Sequence, residues 1–180
     1  MTKKEIIFTT LLTISTVLAE GHKEKFINNA RSYLETKYVY EGRSTDKYPG
    51  MDCMGLIFKS YEKTFGKKWY EFSVFPTQLV KNKELGEPVT NLDGKLCNEV
   101  DVSLIKEGDI VYLLSSTFRN PKENPLVNIN NVDYWVWHMG IYSDREKNLF
   151  LEANPGNKVI EHSFEDILNS NEAIFVTRIN

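Results

Sequence analysis

The chain has 180 residues, enough for one domain and too few for two of ordinary size. Its 41% hydrophobic and 26% charged residues suit a globular domain that buries a core. A net charge of −3 with no basic block excludes an electrostatic nucleic-acid binder and a polybasic lipid binder.

Met1 to Glu5 carries Lys3 and Lys4, Ile6 to Ala19 is uncharged, and Val17-Leu18-Ala19 precedes Glu20. This is the layout of a signal peptide over residues 1–19, and the uncharged run is too short to span a bilayer. The expected product is a single domain over residues 20–180, exported to the periplasm or the exterior without a stable membrane anchor.

Phe26, Ile27, Ala30, Tyr33 and Leu34 recur at helical spacing and predict a helix from about Lys23 to Thr36. Glu41 to Asp52 reads as a polar loop with Gly42, Pro49 and Gly50 as turn residues. Leu56, Ile57, Tyr61 and Phe65 share one face of a helix starting at Cys53, with Asp52 as N-cap and Gly66 as stop. Pro76 suits the first position of a short helix to about Asn82. Asp109 to Leu114, Trp135 to Tyr142 and Leu149 to Ala153 read as strands, with Val159-Ile160 and Ile174 to Ile179 as two more. Ser163 and Asp166 form the capping box of a short helix. Ser115 to Asp133, rich in Asn and Pro and without periodicity, reads as a functional or mobile loop. Helices first and strands later predict an α+β domain with an antiparallel sheet.

Cys53 falls in the first turn of a helix, where free N–H groups and the helix dipole favour negative charge. The thiolate is the nucleophilic form of cysteine. Gly55 reads as leaving room for a substrate beside the sulfur and beside amides able to hold an oxyanion. A buried structural cysteine is the alternative that helix position alone leaves open.

A nucleophilic thiol needs a base, and there are three histidines. His22 lies at the mature N-terminus, and His162 precedes a helix cap on a polar surface. His138 is inside a strand. Alternation sets Trp135, Trp137, Met139 and Ile141 on one face and Val136, His138, Gly140 and Tyr142 on the other, with His138 facing the space beside Gly140. On the next strand Glu152 and Asn154 share a face, and either is placed to orient an imidazole. No His, Cys, Asp or Glu spacing suits zinc, and no metal or cofactor is expected. Cys53 and Cys97 would pair by default in an exported protein, but the setting of Cys53 favours a free thiol.

These residues, in this order, resemble the NlpC-type cysteine peptidases that cleave bacterial cell-wall peptides. The family's Asp-Cys-Ser-Gly-Leu motif reads Asp52-Cys53-Met54-Gly55-Leu56 here, and its Tyr-Val-Trp-Gly-Gly segment reads Tyr38-Val39-Tyr40-Glu41-Gly42. Its Pro-Gly-Asp-Leu-Val strand is similar to Glu107-Gly108-Asp109-Ile110-Val111, and His-Val-Gly-Ile-Tyr to His138-Met139-Gly140-Ile141-Tyr142. Phe150-Leu151-Glu152-Ala153 matches the segment that carries the third polar residue.

The resemblance spans roughly Phe26 to Ile160. It implies a papain-like fold, Cys53 as nucleophile, His138 as base and Glu152 as orienting residue. Tyr38, Asp52 and Met54 take the substrate-binding and oxyanion positions. The activity implied is hydrolysis of γ-D-glutamyl–diamino acid bonds in peptidoglycan peptides by a monomer. Met54 in place of Ser, Glu152 in place of His and Glu41 in place of Gly depart from the family pattern. Met54 and the long loop motivate a second expectation, an amidase or thioesterase acting on another acyl substrate. A non-catalytic binding module that keeps the scaffold is the third.

Overall fold

The computed structural model describes residues 21–179. The signal peptide read at residues 1–19 lies outside them.

Residues 21–31 form helix α1, which buries Phe26, Ile27 and Ala30. It stops short of Thr36 because Tyr33 and Leu34 donate to carbonyls only three residues back, and Glu35 takes φ +71°. Helix α2 is Cys53–Phe65, with Asp52 as N-cap and Gly66 closing it at φ +86°. Helix α3 is Pro76–Lys81. Helix α4 is Phe164–Ser170, where the Ser163 side chain accepts from the Asp166 N–H.

Seven strands lie among the described residues: β1 Glu87–Leu96, β2 Ile110–Ser115, β3 Val127–Ile129, β4 Val132–Asp144, β5 Leu149–Ala153, β6 Val159–Ser163 and β7 Ala173–Arg178. The order is β1-β7-β2-β4-β5-β6, with β3 paired to β4, and the pairings are antiparallel. This is the expected α+β class.

One core layer joins Leu56 and Ile57 of α2 to Met139, Ile141 and Leu151 of the sheet. The other joins Tyr142 and Phe150 to Phe164 and Ile167 of α4. Asp109, fully buried at the head of β2, accepts the Arg178 guanidinium at 2.6 Å and so ties β2 to β7.

Three local readings differ from the structure. β1 was not expected: only Leu92 is buried along it, Asn91 and Gly94 have positive φ, and its register slips twice, so it carries no alternating pattern. The 115–133 segment holds β3 and a tight turn at Asn130-Asn131, both at positive φ, that returns the chain into β4. In β4 the alternation breaks. Leu113 opposes His138 but Leu114 opposes Val136, so Trp137 is the extra residue of a bulge. Val136 therefore joins the α2-side core with Met139 and Ile141 instead of sharing a face with His138.

Candidate active site

α2 points its N-terminus at β4. The Asp52 carboxylate caps it by accepting the Gly55 N–H at 2.6 Å, and the Leu56 N–H goes to the Asp52 carbonyl at 2.9 Å. The Cys53 and Met54 N–H groups are the first two of the helix, which have no intrahelical acceptor by position. Half-buried Cys53 thus stands at the positive end of the helix beside two donors free for an oxyanion.

His138 is 2% exposed and gives its Nε2 to Glu152 Oε2. That leaves Nδ1 as the ring nitrogen for Cys53. Burial disfavours the charged ring, but hydrogen bonds to Cys53 and Glu152, and the charges of both, outweigh it. The His138 pKa is pushed up to about 9. Glu152, also 2% exposed, takes donors from Asn154 Nδ2 and His162 Nε2 on its other oxygen, each at 2.8 Å. Burial alone would raise its pKa; the hydrogen bond to His138 and the neighbouring imidazoles hold it below the usual carboxylate value.

A cleft of about 360 Å³ opens over this group, bordered by Tyr38, Asp52, Cys53, Met54 and His138. Five of the six residues singled out from sequence line it, and Glu152 lies behind the imidazole. The loop 37–51 holds Tyr38 through Tyr38 N–H to Asn157, Val39 N–H to Met51 and Met51 N–H to Lys37. Burial, reinforced by Cys53 and Asp52, pushes the Tyr38 phenol up to about 12, so its hydroxyl stays a donor at neutral pH. A larger cavity of about 540 Å³ lies by α1, but no cysteine or histidine lines it, and Arg31 there is paired with Glu161 at 2.8 Å. Cys53 and His138 border the smaller cleft.

Two glycines do something other than make room for substrate. A Cβ on Gly55 would strike the Gly42 carbonyl and sit 3.0 Å from the Met51 sulfur. A Cβ on Gly140 would strike the Phe150 ring and the Leu151 carbonyl. Both are close-packing positions, so the expected space beside Cys53 and His138 is already filled by protein.

No protein-family model and no curated protein matches the sequence. Solved structures do. An N-acetylmuramoyl-L-alanine amidase from Bacteroides uniformis superposes with TM-score 0.63 at 15% identity, over 89% of this chain and 99% of that one. The P60 domain of an antigen from M. avium paratuberculosis gives 0.57 at 14% identity, over 93% and 99%. The peptidoglycan hydrolase RipB from Mycobacterium tuberculosis gives 0.55 at 19% identity, over 89% and 66%. The fold is that of the NlpC/P60 domains. The chain spans 64% of RipA, another protein that shares it.

On this NlpC/P60 scaffold the structure adds residues that were not singled out from sequence. Arg43 is 8% exposed; its Nη1 lies 2.6 Å from Asp52 Oδ1 and 2.7 Å from the Gly42 carbonyl. Both this guanidinium and the Gly55 amide meet Oδ1, so Asp52 is fixed through one oxygen while it borders the cleft. His162, read as a surface residue, is on β6 and bonds Glu152. Asn154, weighed against Glu152 as the orienting group, supports Glu152 instead of touching the ring. Trp137 stacks on His138, and Phe118, Asn120 and Glu123 of the long segment form a wall of the cleft. Arg43 and His162 carried no local signal, since their partners lie 9 and 10 residues away across a loop and a strand pair. Among the described residues no three metal-ligating side chains cluster, and no helix is long and apolar enough to cross a membrane. Both cysteines are free, Cys53 in the cleft and Cys97 in the far core layer.

Proposed function

We propose that this chain is an exported cysteine peptidase that hydrolyses amide bonds in peptidoglycan stem peptides. The observation that carries the reading is the relay from half-buried Cys53 at a helix start to buried His138 and Glu152, with Cys53 and His138 bordering a cleft. RipA has been solved mutated at a cysteine, a histidine and a glutamate, the same residue types in the same chain order. RipB, a peptidoglycan hydrolase, and the Bacteroides protein, an N-acetylmuramoyl-L-alanine amidase, agree on the class of polymer.

In this reading the Cys53 sulfur attacks the scissile carbonyl while His138 carries the thiol's proton. The Cys53 and Met54 amides and the Tyr38 hydroxyl receive the oxyanion. The tetrahedral intermediate collapses to an acyl-enzyme, and the imidazolium delivers its proton to the departing amine. Water, deprotonated by His138, then attacks the thioester and restores the thiol. A raised His138 pKa keeps the proton on the ring through neutral pH, where the leaving amine needs it. Glu152 stabilises the charged ring and fixes which nitrogen faces the sulfur. The bond proposed is γ-D-glutamyl to diamino acid.

The test is digestion of defined muropeptides by the purified protein under reducing conditions, beside Cys53→Ala. A shortened stem peptide and a new diamino-acid amine, absent with Cys53→Ala, are expected. Intact muropeptides after prolonged digestion sink the proposal.

A further inference from the structure

Seven large hydrophobic side chains are exposed among the described residues, and Tyr40, Val74, Phe118 and Trp137 among them border the one cleft. Exposed apolar surface concentrated at one site marks a place where something binds. Trp137 is the best constructed of the four. The β4 bulge turns it out of the sheet, its ring lies on the His138 ring at 5.2 Å and 29°, and its Nε1–H donates to Asn171 Oδ1 at 3.1 Å. It is pinned in place yet still 40% exposed. Phe118, 47% exposed, stands near it from the long segment.

Both rings also border a second cavity of about 240 Å³, whose other lining is Leu114, Ser115, Ser170, Asn171 and Glu172. Trp137 and Phe118 are thus a ridge with the hydrolytic cleft on one side and a pocket of hydroxyl, amide and carboxylate groups on the other. An acyl chain calls for continuous apolar walls, which the polar pocket denies it. A sugar ring has an apolar C–H face and a polar rim, and fits flat aromatic faces beside hydrogen-bonding groups.

We infer that Trp137 and Phe118 form a saccharide-binding subsite adjoining the hydrolytic centre, so that the preferred substrate is a peptide still joined to its amino sugar. This rests on the reading of the cleft as a cell-wall peptide hydrolase. The indole and imidazole centres are 5.2 Å apart, and an extended residue spans roughly 3.5 Å. A sugar on the ridge therefore lies within a few extended residues of the hydrolytic centre, and its attached peptide runs into the cleft.

The subsite is tested without catalysis by titrating a peptide-free N-acetylglucosamine tetrasaccharide into Cys53→Ala protein and following the Trp137 indole N–H resonance. A saturating shift that Phe118→Ala weakens is expected. In parallel, kcat/KM of the wild type is compared for one stem peptide with and without its disaccharide. A preference of about tenfold for the glycosylated form is expected, equivalent to ~1.4 kcal/mol. Trp137→Ala and Phe118→Ala should each bring that ratio toward one; the ratio is the readout because Trp137 also touches His138. Equal kcat/KM for both substrates with an unmoved indole resonance overturns the inference. A saturating shift with neither substrate cleaved keeps the subsite and overturns the hydrolase reading instead.

Discussion

Replacing Glu152 by Gln separates charge from shape behind the imidazole. The carboxylate meets His138 Nε2 on one oxygen, and Asn154 Nδ2 and His162 Nε2, each at 2.8 Å, on the other. Gln is nearly the same size, but one of its two terminal groups is a donor. Turned toward Asn154, that NH₂ meets another NH₂. Turned toward His138, it needs Nε2 without a proton, which sends the ring proton to Nδ1 on the Cys53 side. Either way a buried polar group goes unmet, at a cost of about 1–3 kcal/mol, and the charge favouring the imidazolium is gone. We expect kcat/KM to fall roughly 10²–10⁴-fold, the usual worth of a positioned acid–base group. The alkaline limb of the pH profile, set by His138 at about 9, should move toward 6.5. Stability should follow the same titration. A pKa raised from 6.5 to about 9 on folding adds stability that is full below pH 6.5 and lost as pH rises through 9. Glu152, held below its ordinary 4.5, adds stability that is present above that pH and lost on acidification. Glu152→Gln should flatten both slopes. pH–rate profiles, with histidine NMR titration and urea unfolding at several pH values, measure all of this. An alkaline limb still near 9 with kcat/KM within about threefold of wild type would refute the orienting role.

Native alkylation at pH 8 should modify Cys53 and spare Cys97, whose thiol burial and Glu172 push up to about 12; denaturation should expose both, and equal native labelling contradicts the assignment. Arg43→Met strips a buried carboxylate of its partner and should cost about 3–5 kcal/mol, a fall in Tm on the order of 10 °C by calorimetry. Adding Asp52→Ser, which keeps a cap acceptor, should recover most of that loss; a single-variant cost under about 1 kcal/mol shows the pair is not desolvated. Gly55→Ala gains up to about 1 kcal/mol of helix propensity, yet its methyl drives the Gly42 carbonyl away from the helix start. It should lose stability by urea unfolding and lower kcat more than it changes KM, and a stabilised, fully active Gly55→Ala overturns this account.

What was legible in the sequence is what short-range physics writes there. Asp52 before Cys53, Gly66 after Phe65 and Pro76 at a first turn mark helix ends because caps act over three or four residues, and α2, α3 and α4 lie close to where those signals put them. β5 was legible to the residue because both its faces are buried. β1 was not, since an edge strand with one buried side chain and two register slips has no period to read. The alternation rule failed at Trp137 for a related reason: a bulge leaves no mark in composition, and it occurs where β4 presents His138 to the cleft.

Asp52 shows the same distinction between local and distant contacts. As a cap it is local, and the sequence announces it. As a substrate-facing carboxylate it depends on what else reaches it, and Arg43, nine residues earlier across a loop without periodicity, reaches it first. The guanidinium and the Gly55 amide both meet Oδ1, each at 2.6 Å, so a positive charge stands beside a carboxylate that borders the cleft. Met54 beside them is half-buried against the core and offers no hydrogen bond from its side chain. On the cleft's other wall the 115–133 segment supplies Asn120 and Glu123 beside Phe118. The long segment that sets this chain apart from its resemblance thus shares one cleft with Asp52 and Met54, and no period in its sequence announces it there.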